Sequence, residues 1–189
     1  GSVLSHSPAT AEDSFSLTID TDELVIDETS KIDVTGSGYL GGKQEGNDSD
    51  SGRTYGNSPQ FGEGLGNGGS HGGTGGYWAS GLYASVYGSF TDPAHPGAGG
   101  SGRGDSPGAN GGGVARINTR LLVLDGNIIA DGHSIKEGGY DGGAGAGGSI
   151  KIETAAIRGS GHVRANGGDS GLNGAGGGGR IAIYYDTSD

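Results

Sequence analysis

Apolar and polar residues alternate in short runs along the last third of the chain: Ala115 with Ile117, Ile150 with Ile152, Ile181 with Ile183, Ile128 with Ala130, and Val163 with Ala165. A period of two places each pair on one face of a strand. The β-branched residues favour the same state, and the glycines between the runs leave no stretch long enough for a helix. The runs are also copies of one another. Ile117, Leu122, Ile128, Ala130 and Gly132 recur as Ile152, Ile157, Val163, Ala165 and Gly167, each displaced by 35 residues. A constant displacement, apolar matching apolar and glycine matching glycine, marks an internal repeat.

The same template opens the chain. Ile19, Leu24, Ile32, Val34 and Gly36 follow it with two residues added between the second and third positions, and Leu17 stands where Ala115 does. Gly179 to Ile183 begins a further, incomplete copy that matches Gly148 to Ile152. Strands of successive copies can pair at ~4.8 Å, so that equivalent residues form an apolar column. The fold expected is all-β: a right-handed parallel β-helix of three full rungs and a partial fourth. Glycine-rich excursions leave it at 37–112, 133–147 and 168–178. The first is too long for an ordinary connection and reads as an insertion on the wall of the helix. Residues 1–13 read as a tag scar, Gly1-Ser2, and a linker; 14–189 reads as a single domain carrying the insertion at 37–112.

Composition changes this picture in one respect. Glycine supplies 47 of 189 residues, too many for a core of large side chains. Such tracts are either flexible loops or extended, polyglycine II-like segments packed side by side, an approach that any side chain would block. Packing is expected for 138–148 and 168–179, whose short lengths must deliver strands in register; both readings stay open for 41–76. A net charge of −11 argues against nucleic acid or an anionic membrane surface as partner. The absence of Cys excludes disulfide staples and thiolate metal sites. No stretch is apolar enough to cross a bilayer as a helix, so membrane insertion is not expected.

Tyr39-Leu40-Gly41-Gly42, Val86-Tyr87-Gly88 followed by Asp92-Pro93, Gly111 to Gly113, the two copies of G-x-(I/V)-x-A-(D/N)-G and the closing GGGGRIAIYY carry a resemblance. Together they resemble the glycine-rich β-helical segments of very large secreted bacterial surface proteins, adhesins among them. The glycine tracts are also similar in composition to the glycine-rich extracellular domain of the anaplastic lymphoma kinase receptor family, which implies packed polyglycine helices. These resemblances imply a secreted or cell-surface location and an adhesive or structural role rather than an enzyme, the isolated fragment being monomeric.

Gly102-Arg103-Gly104-Asp105-Ser106-Pro107 is identical to the cell-attachment sequence of fibronectin. Chance alone would supply the Arg-Gly-Asp tripeptide roughly 0.1 times in such a chain, and the full six far more rarely. The resemblance implies an integrin-like receptor as partner: Arg103 meets an acidic pocket, Gly104 allows the bend, and Asp105 completes the coordination of a receptor-bound metal. The chemistry calls for a mobile, protruding loop, which Gly and Pro favour.

Two further constellations have alternative readings. Asn47-Asp48-Ser49-Asp50-Ser51-Gly52 alternates oxygen ligands before a glycine, as calcium loops do, with Asp48 and Asp50 as the candidate ligands. The distal bidentate Glu of an EF-hand is missing, and a solvated acidic loop explains the run as well. Asp131, Asn166 and Asp169 either share an ion or cap turns. Calcium is the one cofactor the sequence brings into view. Tyr77, Trp78, Tyr83, Tyr87 and Phe90 lie inside the insertion, either as its own small core or as a platform for sugar rings; the first four are the candidate glycan contacts. A carbohydrate-binding or carbohydrate-active β-helix is therefore the competing reading, with a surface glycan as partner. Catalysis itself has little support, because no pair of Asp can be placed at acid/base separation and the five His show no zinc spacing.

Overall fold

The computed structural model describes residues 1–59, 66–77, 84–135 and 142–188. The alternating runs form strands whose equivalents lie side by side. The strands are β1 (Val3–Leu4), β2 (Leu17–Ile26), β3 (Lys31–Asp33), β4 (Arg53–Thr54), β5 (Ser58–Pro59), β6 (Val114–Leu124), β7 (Asn127–Ile129), β8 (Ser149–Arg158), β9 (His162–Arg164) and β10 (Arg180–Ser188). Ile19, Ile117, Ile152 and Ile183 are successive parallel partners, as are Leu24, Leu122 and Ile157, and Ile32, Ile128 and Val163. Each residue thus pairs with its counterpart in the next copy. Ile117, Leu122, Ile128, Ile150 and Ile152 are buried in one apolar cluster with Ile32 and Val34. Removing each such side chain from water contributes on the order of 2 kcal/mol.

The parallel β-helix expected from the repeat is not what these strands build. They form two open sheets of four strands, ordered β10-β8-β6-β2 (the long-strand sheet) and β1-β3-β7-β9 (the short-strand sheet), beside a small β4-β5 hairpin. Neither sheet closes. The physical reason lies in the segments that follow Ala130 and Ala165. A repeat of apolar positions dictates which residues stack; past Ala130 and Ala165 the copies still exchange single bonds, Gly132 to Asn166 and Ile135 to Asp169, but no further strand pairing forms there, and the glycine-rich chain beyond turns to other partners.

Those partners are set out by the backbone hydrogen bonds of residues 143–148. Gly143 and Ala146 donate to the carbonyls of Ser101 and Ala98; Ala144 and Gly147 donate to Gly174 and Gly177; Gly145 and Gly148 donate to His133 and Ala130, all at 2.7–3.1 Å. Donors three residues apart reach the same neighbouring segment, and three successive donors reach three different ones. In a sheet, by contrast, a strand bonds to two neighbours in one plane. A period of three is that of a polyproline II chain. The segment 108–112 follows the same rule: Gly108 and Gly111 donate to Gly42 and Tyr39, and Ala109 and Gly112 to Gly143 and Ala146. Residues of the long excursion therefore flank 143–148 and share its hydrogen bonds with 130–133 and 174–177. Glycine is required by proximity, because a Cβ on Gly145 would sit 1.9 Å from the Asn110 carbonyl oxygen. No helix among the described residues is long and apolar enough to cross a membrane.

Candidate functional site

Arg103 and Ser106 exchange two backbone hydrogen bonds, each N–H donating to the other's carbonyl at 2.9 Å. Gly104 and Asp105 between them form a two-residue turn, with Gly104 at φ +56°. Among the central pair only this first residue has positive φ, which is the type II′ pattern and the reason Gly stands there. Gly104 and Asp105 are exposed, while Ala109 and Gly108 just behind them are buried in the glycine layer. A mobile loop was the expectation for Arg-Gly-Asp; the turn instead closes on its own hydrogen bonds.

Its base is tied down by residues far away in sequence. Lys43 Nζ donates to the Gly104 carbonyl and also pairs with the Asp50 carboxylate at 3.1 Å. The Gly102 N–H donates to the Asp50 carbonyl at 2.7 Å. Arg103 lies half-buried, its guanidinium Nη1 donating to Asn173 Oδ1 at 2.8 Å. Gly66 lines the same place, since a Cβ there would approach Asn173 Oδ1 to 3.0 Å and Arg103 Cδ to 3.3 Å. The turn thus presents the Asp105 carboxylate to solvent, while the guanidinium it would work with is folded back against the body. Lys43 and Asn173 were not foreseen, because nothing in local spacing points to a partner 61 or 70 residues away.

The acidic loop at 47–52 adjoins this turn. Asn47 is buried and its amide donates to the carbonyls of Gly41 and Ser51 at 2.8 and 2.9 Å. The Ser49 carbonyl accepts from the Lys43 N–H and the Ser49 hydroxyl from the Ser51 N–H. The Asp50 carbonyl and carboxylate are engaged as described, and Asp48 is exposed. Ser49 and Asp50 oxygens therefore accept hydrogens of this chain, while the Asp48 side chain faces solvent. Among the described residues no three His, Cys, Asp or Glu converge as metal ligands. Asp131 and Asp169 act as turn-holding residues: Asp131 accepts from the Asn166 N–H at 2.8 Å and pairs with Arg164, and the Asp169 N–H donates to Ser134.

The aromatic residues divide. Tyr87 packs against His71 at 4.7 Å between ring centroids and against Tyr55 at 5.7 Å, and its hydroxyl donates to the Pro96 carbonyl at 2.6 Å. Burial pushes its phenol well above the usual value. It serves as a wedge rather than a platform. Tyr77 and Phe90 are exposed, and Trp78 and Tyr83 lie outside the described residues. Tyr55 completes the cluster together with His95, at 4.9 Å edge-on. His71 is fully buried; its Nδ1 donates to the Gly147 carbonyl at 2.8 Å, and Nε2 has no partner. Burial, aided by the nearby Arg180 and His95 charges, lowers its pKa to about 4.

Asp92 forms a further charged site, pairing with Arg116 at 2.9 Å and Lys151 at 3.1 Å. Hydrogen bonds from Arg116 and then Lys151 hold its carboxyl below the usual carboxylate range. The group fastens the long excursion to β6 and β8. Comparison with protein families, with curated proteins and with solved structures finds no match.

Proposed function

We propose that this chain is an adhesive module of a secreted cell-surface protein, and that it engages an integrin-like receptor through Arg103, Gly104 and Asp105. The observation that supports this reading most is the turn itself. Asp105 stands exposed at the tip of a two-residue bend whose two cross-bonds, at 2.9 Å, fix its direction. A carboxylate held in one place loses little freedom when it joins a receptor-held metal ion, and that saving appears as affinity. Arg103 supplies the cationic partner once it leaves Asn173. The hydrogen-bonded glycine layer behind the turn is a stiff base for such a display.

The test is attachment of integrin-bearing cells to surfaces coated with the purified protein. Attachment is expected to fall at least tenfold with Asp105→Asn or Arg103→Gly, in the presence of a divalent chelator, and in the presence of soluble Gly-Arg-Gly-Asp-Ser-Pro peptide. Equal attachment to wild-type and Asp105→Asn coatings would overturn the reading.

A further inference from the structure

The two sheets end unevenly. At one end the short-strand sheet carries β1 beyond β3, while the long-strand sheet stops at β2. At the other end the long-strand sheet carries β10 beyond β8, while the short-strand sheet stops at β9. The chain runs from β2 into β3, from β6 into β7 and from β8 into β9 through short turns, so these pairs are layers of one stack. Each end is consequently a step, with one strand standing proud beside an open edge. The two steps are complementary, because the proud strand belongs to opposite sheets.

We propose that the steps interlock and that copies of this chain join head to tail, β10 of one copy sharing a layer with β1 of the next. In that joint β1 of the second copy extends the short-strand sheet past β9, and β2 extends the long-strand sheet past β10. All strands remain parallel. The register within the stack, carried across the joint, sets Leu4 beside Val163, Leu17 beside Ile181 and Ile19 beside Ile183. Apolar meets apolar at each position.

The exposed apolar residues of the strands fall where the joint needs them. Val3 and Leu4 are 62% and 46% exposed at one end, and Ile181 and Ile183 are 41% and 37% exposed at the other, whereas Ile117 and Ile152 within the same column are buried. A cavity of about 420 Å³ beside β1 is lined by Val3, Leu4, Leu24, Val25, Ile26 and Ile32, at the step that would receive the neighbouring copy. β2 and β10, nine or ten residues each, are about 30 Å long, and the short-strand sheet adds strands of two or three residues beside them. The open edges also offer unpaired N–H and C=O groups in parallel register. A joint between unlike ends that keeps every strand parallel along one stack brings no ring to closure and so propagates into chains. With a net charge of −11 on each copy, assembly should strengthen as salt screens the repulsion. This departs from the monomer expected of an isolated fragment.

Because the chain has no Cys, Leu4→Cys combined with Val163→Cys reports on the joint directly. Within one copy the two positions are three layers apart, about 14 Å, too far for a disulfide. Oxidation at rising protein and salt concentration should give a ladder of dimers, trimers and longer species on a non-reducing gel. Sedimentation of the unaltered protein should show mass growing with concentration, and Ile183→Lys should shift that growth to at least tenfold higher concentration while circular dichroism confirms its strands. Monomers throughout, from folded protein, would overturn the proposal. So would dimers formed as readily by either single-cysteine variant, since those report pairing of like ends.

Discussion

Asn173 holds the Arg103 guanidinium at 2.8 Å, and under the adhesive reading this bond helps set the state in which the Arg-Gly-Asp turn meets a receptor. A hydrogen bond to a charged group is worth about 1.5–3 kcal/mol, and any receptor that needs the guanidinium must first break it. Under the adhesive reading, Asn173→Ala weakens that hold and should raise attachment strength several-fold, measured as the coating density giving half-maximal cell adhesion. Its melting temperature should change little, since Arg103 can turn to water. On the opposite flank Lys43 has φ +55°, an uncommon conformation for a side-chain-bearing residue, and from it reaches both Gly104 and Asp50. Neither residue stands out in the sequence, because each acts across a gap that only the folded glycine segments bridge. Asp105, by contrast, is a candidate from its motif alone.

The glycine segments differ from the strands in how much each position tolerates. Gly145 is enclosed, and alanine there would drive a Cβ to 1.9 Å from a backbone oxygen, so the neighbouring segment must move. Gly178 sits in the same run of chain types, yet a Cβ there meets nothing within 4 Å. Gly145→Ala should cost about 3 kcal/mol or more, lowering the melting temperature by roughly 6–12 °C. Gly178→Ala should stay within about 1 kcal/mol of the parent, a reduced unfolded-state entropy being the main effect. Thermal melts of the two variants separate a packed glycine layer from a loose one. This element also shows where legibility ended. Ile117 with Ile152 and Leu122 with Ile157 were readable as partners because apolar spacing repeats. Gly145 carries no side chain that could announce Asn110, His133 or Gly168 as its neighbours.

At the scale of the whole molecule, His71 joins the glycine layer to the aromatic wedge, and its titration links both to stability. Its folded pKa of about 4 lies below the ordinary value of 6.5, so the unfolded chain binds the proton more tightly. Stability from this group is complete above pH ~6.5 and is lost as pH falls from there to about 4, by about 3 kcal/mol in all. Urea unfolding between pH 7 and 4 should show that decline, and His71→Gln should flatten it. The paired Asp92 contributes in the same direction at lower pH: its depressed carboxyl pKa favours the fold above the ordinary carboxylate value, and the benefit disappears as pH falls through the folded one.

The layered order of the strands carries a mechanical consequence. A load applied between β1 and β10 runs along the stack, and hydrogen bonds between parallel neighbours point the same way. They are therefore stretched one row at a time rather than sheared together, and an end row should peel before an inner one. Release of the 35-residue copy frees about 120 Å of extended chain and release of the copy that carries the long excursion frees more, so under the adhesive reading the tether lengthens in unequal increments and dissipates force while its tip stays attached.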